Sequence, residues 1–165
     1  EVEKVSETIS PSMDIQIASN FERLIYDLNK GDDIQTINTM KNIKEKGKYI
    51  IDQKKLDEIN INFLSTRMSE EEVLKTIKSV YEKFNIVLDP HSAIGYGAFD
   101  KTNLSGNNIV LATAHPCKFP NAIKNATNIE AKLPEELMFI INEKENYDII
   151  DNNVDKVKQH IKERI

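Results

Sequence analysis

Residues 89–120 read DPHSAIGYGAFDKTNLSGNNIVLATAHPCKFP. This stretch holds two of the chain's three histidines, His91 and His115, each beside a proline. The apolar burst before it, in NIVLDPH, is closed by Pro90. A helix is predicted to begin around His91 or Ser92, with Pro90 in its first turn. Gly95 and Gly97 would each cost that helix roughly 1 kcal/mol, so they read as points of close backbone approach. NNIVLATAHP then reads as a turn and a short, wholly apolar strand. Such a run suits a central parallel strand buried on both faces. Thr113 and His115 stand at its carboxyl end, the side of an open α/β sheet where ligands bind.

Working outward, Met13, Ile15 and Ile17 alternate after Pro11 and read as an extended segment. Ser19 or Asn20 can cap a helix with Phe21, Leu24, Ile25 and Leu28 on one face, stopped by Gly31. A second helix is expected from Asp32 or Asp33 to Gly47, with Ile34, Ile37, Met40 and Ile43 on one face. Asp52 can cap a small third helix, and INFLSTRM, residues 61–68, reads as a strand. Ser69 and Glu72 form a capping-box pattern ahead of Val73, Ile77, Val80, Tyr81 and Phe84, which predicts a helix over 70–84. A short helix near 120–126, a longer one at 134–145, a strand at YDII and a last amphipathic helix through Val154, Val157 and Ile161 complete the reading. Helices thus alternate with short apolar strands. The expected class is α/β: a partial three-layer sheet of short, mainly parallel strands flanked by helices. The expected division is a helix-rich segment, 1–85, and an α/β segment, 86–165, in one compact unit.

The bulk properties narrow the function. The chain has 165 residues, 30% of them charged, and a net charge of −5. Lysines and arginines are interleaved with acids, so no basic face for nucleic acid is expected. No apolar run is long enough for a transmembrane helix, and the first ten residues carry no secretory signal. The single cysteine, Cys117, leaves no internal disulfide, and the expectation is a reducing, cytoplasmic setting.

No self-contained catalytic motif is visible. There is no Gly-x-Ser-x-Gly elbow, no HExxH, no P-loop and no GxGxxG. No metal site is expected. What remains is positional: the Thr113 hydroxyl, beyond a strand end, can make one directed hydrogen bond to a ring heteroatom. The alternative is that Thr113 is a turn residue and His115 a capping or packing residue. His91 divides in the same way between a helix-start residue and a site residue.

Three segments in order, SPSMDIQIASNFERLIYDL, LDPHSAIGYGA and IVLATAHPCKFPNAI, resemble threonine synthase of the bacterial and fungal form. The last third, up to DNNVDKVKQHIKERI, resembles that family's C-terminal end. The resemblance implies a pyridoxal-phosphate lyase of fold type II, the tryptophan-synthase β type. Such an enzyme converts O-phospho-L-homoserine and water to L-threonine and phosphate. It implies that Thr113 faces the pyridine nitrogen of the cofactor, with His91 and Ser92 on the same wall. A neutral hydroxyl there tunes electron withdrawal and does not hold the ring nitrogen protonated as a carboxylate would. It further implies that His115, Lys118, Arg23 and Asn20 bind substrate or shape the pocket.

The family's Schiff-base lysine motif does not occur in this sequence, so no catalytic residue is assigned here. The chain then reads as a C-terminal portion whose partner is the N-terminal part of the same enzyme. A cut-out half of this kind is expected to self-associate through bare apolar surface. The competing reading is a stand-alone, non-catalytic α/β module that binds a small metabolite or a partner subunit.

Overall fold

The computed structural model describes residues 5–165. Among the described residues seven α-helices follow one another: α1 (Ser19–Leu28), α2 (Asp33–Lys46), α3 (Gln53–Asn62), α4 (Glu70–Phe84), α5 (Pro90–Thr102), α6 (Pro120–Thr127) and α7 (Val154–Lys162). Short 3-10 turns lie at Pro11–Met13, Pro116–Lys118 and Glu135–Asn142. The chain divides into two compact units, one running to Lys132 and one from Leu133 to Ile165.

The α/β expectation is overturned: among the described residues there is no strand and no sheet. Residues 61–68, the burst before Pro90, residues 108–113 and YDII all lack ladder partners. A helix makes its hydrogen bonds within one segment, whereas a strand exists only beside a second segment about 4.8 Å away. The backbone is nonetheless extended within the first of these segments and just beyond the third. Phe63 has φ −128° and ψ 132°, and His115 has φ −94° and ψ 137°. Several of their large apolar side chains stay outside the core. Ile109 is 89% exposed, Leu111 73% and Ile149 90%.

The core of the first unit is built where α4 packs against both α5 and α6. Val73 and Ile77 of α4, Ala93 of α5, and Ile123 and Ala126 of α6 form its buried centre. Val87, Leu88 and Ile94 pack around them. The capping box predicted for α4 is complete. Ser69 Oγ accepts from Glu72 N–H (3.3 Å), and Glu72 Oε2 accepts from Ser69 N–H (2.7 Å). Glu72 also pairs with Lys101 of α5 at 2.7 Å. The Lys101 ammonium and the Ser69 donors together lower the Glu72 carboxyl to about 2. Asn85, in the left-handed region at φ 57°, ends the helix.

α1 and α2 form a packed pair joined at Asn29, which donates from Nδ2 to Thr36 Oγ1 (3.1 Å) and accepts from Lys55 Nζ (2.8 Å). The buried face of α2 differs from the expected one. Thr36, Thr39, Met40 and Ile43 are buried, while Ile34 and Ile37 are exposed. Thr36 and Thr39 donate to the carbonyls of Asp32 and Gln35, so their hydroxyls enter the interior already paired. Residues 11–13 form a 3-10 turn where an extended segment was expected.

In the second unit the longer helix expected at 134–145 is the 3-10 segment Glu135–Asn142, which buries no residue. Asn153 caps α7 by accepting from Asp155 N–H and Lys156 N–H. Asp148 holds the far end of that helix through Arg164 (2.8 Å), with His160 3.6 Å away.

Two outcomes follow from this packing. Ile77→Ala removes a fully buried side chain and is expected to lower unfolding free energy by about 2–5 kcal/mol in denaturant titration. Because the folded-state pKa of Glu72 lies below its unfolded value, its contribution is present above about 4.5 and is lost as pH falls toward 2. Glu72→Gln is expected to flatten that acid limb of the stability profile. An unchanged limb would show that the Lys101 pair adds nothing.

Candidate functional site

α5 begins on a buried aspartate. Asp89 Oδ1 accepts from the backbone N–H groups of His91 (2.9 Å) and Ser92 (3.4 Å), the usual task of a helix N-cap. Pro90 occupies the first helical position, where no N–H is needed. The carboxylate does more than cap. Asp89 Oδ2 accepts the hydroxyl proton of Ser92, and Oδ1 lies 3.2 Å from His91 Nδ1. His91 Nε2 accepts from the Ser12 N–H at 3.2 Å. In the neutral ring the proton therefore sits on Nδ1 and points at Asp89. The ring also leans on Phe119, with centroids 5.0 Å apart. One carboxylate thus orients two neighbouring side chains.

Ser92 carries the arrangement to the next segment. Its Oγ accepts from the Thr113 N–H at 2.9 Å and lies 3.5 Å from Thr113 Oγ1. Residues 109–115 are thereby held against the start of α5, and Thr113 itself stays exposed. Gly95 helps: an added Cβ would lie 3.3 Å from Val110 Cγ1, so a bare backbone lets the segment lie close.

The segment separates two clefts. Leu111 and Thr113 line the first, of about 490 Å³, together with Thr66, His91, Gly95 and Phe99. Ala112, Ala114 and His115 line the second, of about 680 Å³, with Val87, Ser92 and Lys132. Only over 111–114 do the side chains alternate between the two clefts, as extended backbone allows. The first cleft has an apolar floor with a few convergent polar groups, the usual form of a small-molecule site.

Of the residues singled out from the sequence, the structure brings His91, Ser92 and Thr113 together. His115 turns to the second cleft and caps the turn Pro116–Lys118, its Nδ1 accepting from Cys117 N–H (3.2 Å). Lys118 is exposed on that turn. Asn20 and Arg23 pair with each other on α1, Arg23 Nη1 donating to Asn20 Oδ1 (3.2 Å). Arg23 lines a separate cleft with Tyr26 and Asp33. Neither lines the Thr113 cleft. Sequence reasoning missed Asp89 as the hub. The signal was available, since an aspartate directly before a proline at a helix start is a capping position whose carboxylate has an oxygen to spare. Among the described residues no three His, Cys, Asp or Glu side chains form a metal-binding group. No helix among them is long and apolar enough to cross a membrane.

Ser92→Ala is expected to strip Asp89 of one donor and leave the Thr113 N–H unpaired, at a cost of about 1–3 kcal/mol. Ser92→Thr keeps the hydroxyl and should recover most of that. Denaturant unfolding measures the first effect. Faster hydrogen exchange at the Thr113 amide locates it.

Comparison with known proteins finds the same region. The sequence model described as "Threonine synthase, C-terminal" matches residues 92–161. The chain is 35% identical to threonine synthase of Saccharomyces cerevisiae, an alignment covering 99% of this chain and 37% of that protein. It is 34% identical to threonine synthase of Pseudomonas aeruginosa, covering 93% of this chain and 34% of that one. The crystal structure of PLP-bound threonine synthase from Brucella melitensis superposes with a TM-score of 0.81 at 39% identity. That match covers 99% of this chain and 35% of the other. The chain therefore spans about a third of the length of the relatives it matches.

Proposed function

The chain belongs to the threonine synthase family, matching its C-terminal portion, and from that premise we propose that it forms one wall of a pyridoxal-phosphate site. The reaction is that of the family: O-phospho-L-homoserine and water give L-threonine and phosphate. The observation that carries this reading is the Thr113 hydroxyl, exposed at the rim of an apolar-floored cleft and tied through Ser92 to a buried carboxylate.

The residues present fit one edge of this cofactor. Thr113 would offer its hydroxyl to the ring nitrogen, and His91, which lines the same cleft, is held by Asp89 and Ser12. Gly95 leaves the floor open for a flat ring. When bound, the cofactor would withdraw electrons from the substrate carbon that bears the amino group. The lining of this cleft holds no lysine, so the amine that anchors the cofactor comes from polypeptide outside this chain. The work of these residues is to bind and orient: Ser92 and Asp89 position Thr113, and Leu111 and Phe99 exclude water from the ring's edge.

We assign Thr113, Ser92 and His91 to the cofactor wall. His115, which lines the adjoining cleft, and Lys118, on the turn that follows it, are assigned to substrate binding or to shaping the pocket. Arg23 and Asn20, already paired on α1, are assigned to phosphate recognition in the complete enzyme. The bare apolar side chains Ile109 and Leu111 support the reading that the rest of the same enzyme packs here.

In the complete enzyme, Thr113→Val is expected to lower kcat about tenfold to a hundredfold, the worth of one hydrogen bond to a charged group. Thr113→Ser should stay within a few-fold of the parent. The 165-residue chain mixed alone with pyridoxal phosphate is expected to give no stoichiometric absorbance band tied to a single lysine. Such a band would show that the anchoring amine lies within this chain.

A further inference from the structure

We propose that the cleft between residues 8–14 and the start of α4 binds a small amino acid in its zwitterionic form, apart from the cofactor wall. Ser10 marks the place. It is 2% exposed, and among the described residues its Oγ is the one buried side-chain polar atom without a hydrogen-bond partner. Buried polar atoms are nearly always paired, so an orphan hydroxyl on a cleft wall suits a donor or acceptor from outside the chain. Ser10 lines a cleft of about 240 Å³. That is several times the ~30 Å³ share of one water molecule. Of the residues lining the first cleft, only Thr66 recurs here.

The charges around Ser10 describe the occupant. Arg67 and Glu70 line the same cleft, and neither side chain has an ion-pair partner among the described residues. Glu70 Oε1 accepts from Ile9 N–H at 2.8 Å, which leaves Oε2 for a further donor. Asp14, also in the lining, spends both oxygens on the N–H (2.9 Å) and hydroxyl (2.8 Å) of Thr8. A simple anion would meet these two carboxylates, and a simple cation would meet the guanidinium. A zwitterion suits both. Its carboxylate takes two parallel donors from Arg67 and the hydroxyl proton of Ser10. Its ammonium donates to Glu70 Oε2. Met68, Val73 and Ile94 give a short side chain an apolar wall. The backbone is already set for this. The N–H groups of Thr8, Ile9 and Ser10 donate to Asp14, Glu70 and the Thr8 hydroxyl, and the Ser10 carbonyl accepts from Met13 N–H at 2.8 Å. Ser10 is thus held in place with its hydroxyl left over, so binding needs little further ordering.

The probe is N,N-dimethylglycine, a zwitterion whose tertiary amine forms no Schiff base with pyridoxal phosphate. Calorimetric titration of the complete holoenzyme is expected to show saturable binding in the millimolar range, with the cofactor's absorbance unchanged. Arg67→Met and Glu70→Gln, both at exposed positions, should each weaken it about tenfold or more. Isovalerate, the isosteric anion, and N,N-dimethylglycinamide, the matching cation, should bind the parent more weakly by a similar factor. Ser10→Ala separates recognition from structure. Removing an unpaired buried hydroxyl should leave the thermal midpoint of the ligand-free protein equal or higher, while binding weakens. A lowered midpoint would show that the complete enzyme already pairs this hydroxyl, and the proposal fails. It fails equally if no saturable heat appears, if the probe shifts the cofactor band, or if isovalerate or the amide binds as well as the zwitterion. Affinity unchanged in both Arg67→Met and Glu70→Gln places the probe elsewhere and also overturns it.

Discussion

The Asp89 carboxylate is the constraint on which the candidate site depends. It is 1% exposed, and it is satisfied by two backbone N–H groups, a serine hydroxyl and an imidazole N–H. A buried charge is tolerated only when paired in this way. The same bonds that offset its desolvation set the start of α5, the rotamer of Ser92 and the ring orientation of His91. Ser92 then fixes the backbone at Thr113. Capping, which is a local matter of helix ends, here becomes the device that holds a distant loop in place.

Around that hub the molecule is uneven in its packing. The α4–α5–α6 core is closed: Ile77, Ala93 and Ile123 are fully buried. The α1–α2 pair is tied by the amide of Asn29. By contrast the segment 108–113 keeps large apolar side chains in the open on one side of the hub, and residues 61–64 do the same on another. An apolar surface of this kind beside a rigid polar cluster is what a wall of a larger site looks like. The chain matches about a third of each threonine synthase relative.

Helices were largely legible in the residues. The Ser69–Glu72 capping box and the Pro90 start of α5 act through bonds within a few residues of one another. The face of α2 was misread because hydropathy counts Thr36 and Thr39 as polar. Each hydroxyl donates to a carbonyl one turn back and enters the interior already paired. The site was half legible. Thr113, Ser92 and His91 stood out by position and motif, and they do meet. Asp89 was visible only as punctuation, since the serine its second oxygen holds finds its further partner, Thr113, in a segment more than twenty residues away.

What the sequence determined by itself is therefore most of the α-helices and the family to which the motifs belong. These rest on contacts between near neighbours along the chain, which any local window contains. Only the tertiary structure decided that the apolar bursts form no sheet here, that Thr113 lies over Ser92, and that His115 and Thr113 face different clefts. Each of these depends on a hydrogen bond or a packing contact between segments far apart in the chain. A strand needs a partner and a hydroxyl needs an acceptor, and neither need names its partner in one dimension.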